Sequence, residues 1–128
     1  MARILIAEDE ASVREFITRA LRGAGHYIDA VGDGSDALTR LGEARASGAP
    51  YDLLLTDILM PVMDGISLAL TAARDTPTMF IMLMTGYSDQ RERAYGLDEI
   101  IQDILLKPFT LDELVARVDL VLTGQAAR

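Results

Sequence analysis

Leu53-Leu54-Leu55-Thr56-Asp57, continuing into Ile58-Leu59-Met60-Pro61-Val62-Met63-Asp64-Gly65, is the stretch on which the fold turns. Leu53 to Leu55 is an unbroken apolar run, the mark of a strand covered on both faces rather than one. It stops on an acid, Asp57. Working outward, other short apolar runs also stop on a polar residue. Arg3 to Ala7 ends at Glu8-Asp9, Met79 to Met84 ends at Thr85-Gly86, and Ile104-Leu105-Leu106 ends at Lys107-Pro108. His26 to Val31 makes a further strand.

Helical patterns fill the gaps. Val13, Phe16, Ile17, Ala20 and Leu21 recur at the spacing of one helix face. Ser12 and Glu15 have the spacing of a capping box, and Gly23 and Gly25 suit the stop. Ala37, Leu38, Leu41 and Ala44 give a second helix, and Ile66, Ala69, Leu70 and Ala73 a third. Residues 89–99 read as a polar, weakly amphipathic fourth helix. Leu111, Leu114, Val115, Val118 and Leu122 make a fifth, entered through Thr110. Strict alternation of five strands with five helices predicts an α/β protein: a doubly wound, five-stranded parallel sheet of (βα)5, flavodoxin-like topology with right-handed crossovers. The expected span is one domain over 1–123 and a short tail over 124–128, with no output domain.

Composition narrows the function. The chain has 128 residues, half of them hydrophobic, and a formal net charge of −8. That balance disfavours nucleic acid, whose phosphates call for clustered Lys and Arg. With no cysteine, disulfides and thiolate zinc sites are excluded. No apolar run is long enough for a signal peptide or a membrane span, so a cytoplasmic protein is expected.

In open α/β sheets ligands gather beyond the carboxyl ends of the strands. Those ends carry Glu8-Asp9, Asp57, Thr85 and Lys107. Taken singly, each is ordinary: a solvated turn, a helix cap, a surface lysine. Together, in order and at equivalent places, they suit phosphoryl chemistry. Clustered carboxylates need a cation, and Mg²⁺ accepts a few such oxygens while keeping waters and a phosphate. An Asp can act as a nucleophile and form an acyl phosphate, a Lys can neutralise phosphoryl oxygens, and a Thr hydroxyl can hydrogen-bond the product. His26 reads as structural, and Met79, Met82 and Met84 as core.

Glu8-Asp9, Asp57 to Gly65, Thr85-Gly86 and Lys107-Pro108-Phe109 resemble the receiver domains of two-component response regulators, over essentially the whole chain. Leu54 to Gly65 and Met84 to Tyr87 are similar to the single-domain alphaproteobacterial receivers that act as adaptors for the protease ClpXP. The resemblance implies that Asp57 is the phosphoacceptor, Thr85 the switch hydroxyl and Lys107 the phosphate-pairing lysine. It implies a Mg²⁺ site made by Asp9, Asp57, the backbone carbonyl of Leu59 and, through water, Glu8. It also implies a cis Lys107-Pro108 bond, a histidine kinase or histidine phosphotransferase as donor, and a protein target on the face of the fourth helix, fifth strand and fifth helix. Many receivers carry Tyr or Phe where this chain has Ile104, which implies activation without an aromatic flip. The rival readings are a phosphorylation-independent pseudo-receiver, a flavin carrier and an Asp-nucleophile phosphohydrolase. The flavin carrier would need a phosphate loop where this chain has Glu8-Asp9-Glu10. The phosphohydrolase would need an acid where this chain has Leu59.

Overall fold

The computed structural model describes residues 1–86, 94 and 96–124. Five strands, β1 (Arg3–Ala7), β2 (Tyr27–Val31), β3 (Leu53–Asp57), β4 (Phe80–Thr85) and β5 (Asp103–Leu106), form one sheet in the order β2-β1-β3-β4-β5. Every pairing is parallel. The helices among the described residues are α1 (Ala11–Gly23), α2 (Gly34–Ala46), α3 (Gly65–Asp75) and α4 (Leu111–Leu122). The last of these is the helix the sequence places fifth. The expected helix over 89–99 falls largely outside the described residues; of those described there, Ala94, Gly96, Asp98 and Glu99 lie in turns.

Side-chain alternation divides the core into two layers, as the pleat requires. Ile4 and Ile6 of β1, Leu53 and Leu55 of β3, and Met82 and Met84 of β4 pack with Ile17 and Leu21 of α1 and Leu114 and Val118 of α4. The intervening residues Leu5, Leu54, Ile81 and Leu83 face α2 and α3, where Leu41, Leu68 and Ala69 cover them. β3 is buried along its whole length, as its unbroken apolar run requires. Met79, Met82 and Met84 are core residues.

Several local expectations are corrected. The Ser12–Glu15 capping box does not form. α1 starts at Ala11 with Glu10 as its N-cap, and no side chain caps it. The Glu10 N–H is already taken by the Glu8 carboxylate at 3.0 Å, so the chain turns into the helix before Ser12. A capping box does form at α4, between Thr110 and Glu113. Phe16, Leu70 and Leu111 were expected on core faces but stay 39%, 48% and 49% exposed; the covered face of each helix runs instead through Ile17 and Leu21, Leu68 and Ala69, and Leu114 and Val118. β2 begins at Tyr27. His26 stands just before it, accepting a hydrogen bond from the Ala2 N–H at 3.1 Å.

Away from the strand ends, the Tyr51 hydroxyl donates to the Asp29 carboxylate. Burial first, and then this anionic partner, push the Tyr51 phenol up from 10.0 to about 12, with Arg40 working against them. A group that holds its proton more tightly when folded adds stability that is complete below the unfolded value. That stability fades as pH rises from 10 toward 12. Ultraviolet titration should therefore show one of the four tyrosines ionising near 12. Tyr51→Phe should remove that late step and flatten the loss of stability between those pH values.

Candidate functional site

The sheet order makes the site. The chain leaves β1 for β2 on one side and returns to β3 on the other, so a crevice opens beyond the ends of β1 and β3. Register sets what faces it. Ala7 pairs with Thr56, Asp57 with Met84 and Thr85 with Leu106. Glu8, Asp57, Thr85 and Lys107 therefore stand at or one step beyond the ends of four adjacent strands.

Glu8 is fully buried. Its N–H donates to the Val31 carbonyl at 3.1 Å, and its own carbonyl accepts from the Arg14 guanidinium at 2.9 Å. One carboxylate oxygen takes the Glu10 N–H, and the other takes the Lys107 ammonium at 2.7 Å. Asp57, only 7% exposed, accepts from the same ammonium at 2.8 Å. Asp9 is exposed on the open side. One oxygen from each of Glu8, Asp9 and Asp57 lies within 4.8 Å of the others. These residues line a cleft of about 670 Å³ with Leu59, Met60, Pro61 and Gly86. Lys107 is held from behind, its N–H donating to the Thr85 carbonyl at 2.8 Å, and its bond to Pro108 is cis. Thr85 is buried at the end of β4.

Burial works against the Lys107 charge. The hydrogen bonds that the ammonium donates to Asp57 and Glu8, with their negative charges, outweigh burial and hold the lysine above its ordinary pKa. Lys107 is therefore a fixed cation at neutral pH. One ammonium set against three carboxylates leaves two negative charges uncompensated. Oxygen-only donors with a surplus of that size fit a hard divalent cation such as Mg²⁺.

The sequence-predicted residues thus come together: Glu8, Asp9, Asp57 and Lys107 in direct reach, Thr85 beneath Lys107, and Leu59 on the rim. Two contributors escaped the sequence reading. Arg14 clamps the Glu8 backbone, and nothing in its spacing marks it. Gly65, readable as a turn signal, allows the start of α3 to lie against Asp57, since a Cβ there would stand 2.0 Å from the Asp57 carbonyl oxygen.

The profile of the response regulator receiver domain matches residues 4–119. This chain belongs to the response-regulator receiver family. The receiver is 38% identical over 122 residues to the response regulator receiver protein CpdR of Brucella abortus, covering 95% of this chain and 98% of that one. It is 39% identical over 116 residues to the DNA-binding response regulator MtrA of Mycobacterium tuberculosis, covering 91% of this chain but 48% of MtrA. The receiver therefore spans about half of such a relative and nearly all of CpdR. Among solved structures, a putative response regulator from Chloroflexus aurantiacus superposes with a TM-score of 0.82 at 30% identity, over 95% of this chain and 98% of that one. The expected two-component signalling family and its flavodoxin-like parallel fold are both borne out. Among the described residues no helix is long and apolar enough to cross a membrane.

Proposed function

We propose that this receiver, over residues 1–123, accepts a phosphoryl group on Asp57 from a histidine kinase or histidine phosphotransferase, and that the modification switches a protein–protein interaction. The observation that carries the reading is the single ammonium of Lys107, shared between the buried carboxylates of Glu8 and Asp57 at the mouth of an acidic cleft. An Asp57 oxygen attacks the phosphorus as the P–N bond of phosphohistidine breaks, and the imidazole departs with the bond electrons. Lys107 is already in place to neutralise a phosphoryl oxygen, with little reorganisation during transfer. Glu8, Asp9 and Asp57, with the Leu59 backbone carbonyl, are the groups assigned to hold Mg²⁺, which when bound supplies charge neutralisation to the transferring phosphoryl group.

The Thr85 hydroxyl is assigned to the new phosphate, drawing the chain just after β4 toward the site. Ile104 is already 7% exposed. An aliphatic side chain so buried has nothing to rotate inward, which supports a switch carried by the segment after β4. The face around β5 and α4 is assigned to the protein target. The cytoplasm is the compartment proposed, since that is where a kinase donor would act. The receiver is read as a phosphoryl acceptor rather than a phosphohydrolase, because the position two residues after Asp57 is Leu59, a hydrocarbon that cannot shuttle a proton.

Incubation with acetyl phosphate tests this reading by intact mass. One phosphoryl group per chain is expected with Mg²⁺, and none once the metal is chelated. Transfer at equal rates with and without Mg²⁺ would remove the metal from the account.

A further inference from the structure

Val62 is, among the described residues, the sole non-glycine residue with positive φ, at 71°. The Met63 N–H donates to the Pro61 carbonyl at 2.8 Å and closes a γ-turn around it. Positive-φ γ-turns are rare and strained, and a β-branched side chain suits that conformation poorly. Both ends of the loop are pinned. Gly65 donates to the Ile58 carbonyl at 2.8 Å, and Met63 lies so close to Gly34 that a Cβ there would meet the Met63 carbonyl at 2.8 Å. The strain collects at the tip between these anchors.

The Val62 side chain returns nothing to the fold for this strain, because it is 85% exposed. Asn or Gly would hold the same turn at lower cost. Strained backbone of this kind persists at clamps and switches, where a function depends on it. Leu59 and Pro61 are exposed and line the cleft, and exposed Val62 follows Pro61 directly in the same loop, just outside that lining. Asp57 lies deeper and is barely exposed. A protein that brings a phosphorylated side chain to Asp57 must therefore lay its surface across this loop, with exposed Asp9 and Glu10 alongside.

We propose that Val62 is a specificity contact for the phosphodonor protein, packing its side chain against an apolar patch that flanks the donor's phosphohistidine. That patch is itself bordered by basic residues that meet Asp9 and Glu10. The proposal rests on Asp57 being the phosphoacceptor. A small donor enters the cleft without touching Val62, whereas a protein donor cannot.

The test compares wild type, Val62→Asn and Val62→Ile in three measurements. These are thermal unfolding, the phosphorylation rate from acetyl phosphate with Mg²⁺, and the transfer rate from a purified autophosphorylated histidine kinase. The kinase is chosen from a panel as the one fastest on wild type. Val62→Asn should raise Tm by roughly 2–5 °C as the strain is relieved. It should leave the acetyl phosphate rate unchanged and lower kcat/KM for the kinase roughly tenfold. Val62→Ile should keep kinase transfer within about twofold of wild type, with no gain in Tm. Equal kinase transfer to wild type and Val62→Asn, with a normal acetyl phosphate rate, overturns the Val62 contact alone, and a fall in Tm for Val62→Asn overturns the strain argument. Absence of acetyl phosphate labelling in wild type overturns the assignment of Asp57 and this proposal with it.

Discussion

Lys107→Met will slow phosphoryl transfer to Asp57 by about 10²–10³-fold, the usual loss when one preorganised electrostatic group is removed from a transition state. The substitution keeps the length and apolar stem of the side chain and deletes only the charge. In the native protein that charge sits 2.7 Å from Glu8 and 2.8 Å from Asp57. Without it, a fully buried carboxylate faces a second one with no cation between them. The metal-free variant should therefore be destabilised, and added Mg²⁺ should restore more stability to it than to wild type, because the ion then relieves three uncompensated carboxylates. Stopped-flow transfer from acetyl phosphate and thermal unfolding with and without Mg²⁺ read both effects. An unchanged transfer rate would show that Lys107 is a structural tether only.

Gly65→Ala should cost about 3 kcal/mol or more, against the direction that helix propensity predicts. Gly65 opens α3, and in a helix Ala is preferred to Gly by about 1 kcal/mol. At this position, however, the new Cβ would stand 2.0 Å from the Asp57 carbonyl oxygen and 2.9 Å from the Ile58 Cα. Both are backbone atoms of a strand end that is hydrogen-bonded to its neighbour, so neither can yield cheaply. Overpacking against fixed structure is worth more than propensity. The shift should also drag the Asp57 carboxylate away from Lys107, so transfer should fall along with stability. Gly42→Ala is the control. Gly42 lies within α2, and the nearest atom to its added Cβ is the far end of the Arg45 side chain at 3.7 Å. There propensity should win, with a gain of about 0.5–1 kcal/mol. Chemical denaturation of the two variants distinguishes them by sign.

The contrast between these glycines marks what could be read from the chain. β3 was legible because burial on both faces leaves an unbroken apolar run, and the strand ends were legible because each run stops on a polar residue of distinct chemistry. The approach of α3 to Asp57 was not legible, since a Gly after an Asp reads the same whether it serves a turn or a backbone contact. The Ser12–Glu15 spacing matched a cap as well as Thr110–Glu113 does. What separates them is that Glu8 reaches back to the Glu10 N–H, a tertiary fact with no local signal. Phe16 fits the stripe of α1 yet stays partly exposed, its ring centroid 6.4 Å from that of Phe109, a residue whose nearness no local periodicity announces. The strain at Val62 was equally hidden, because Val is the last residue that propensity would place at positive φ.

Asp57 is the residue proposed to take the phosphoryl group. Borohydride reduction of the protein after treatment with acetyl phosphate and Mg²⁺ converts an aspartyl phosphate to homoserine, and peptide mapping then locates it. Homoserine is expected at position 57 alone, with no conversion in Asp57→Asn. Conversion at Asp9 or another carboxylate in the wild-type chain, or full conversion of Asp57→Asn, would contradict that assignment.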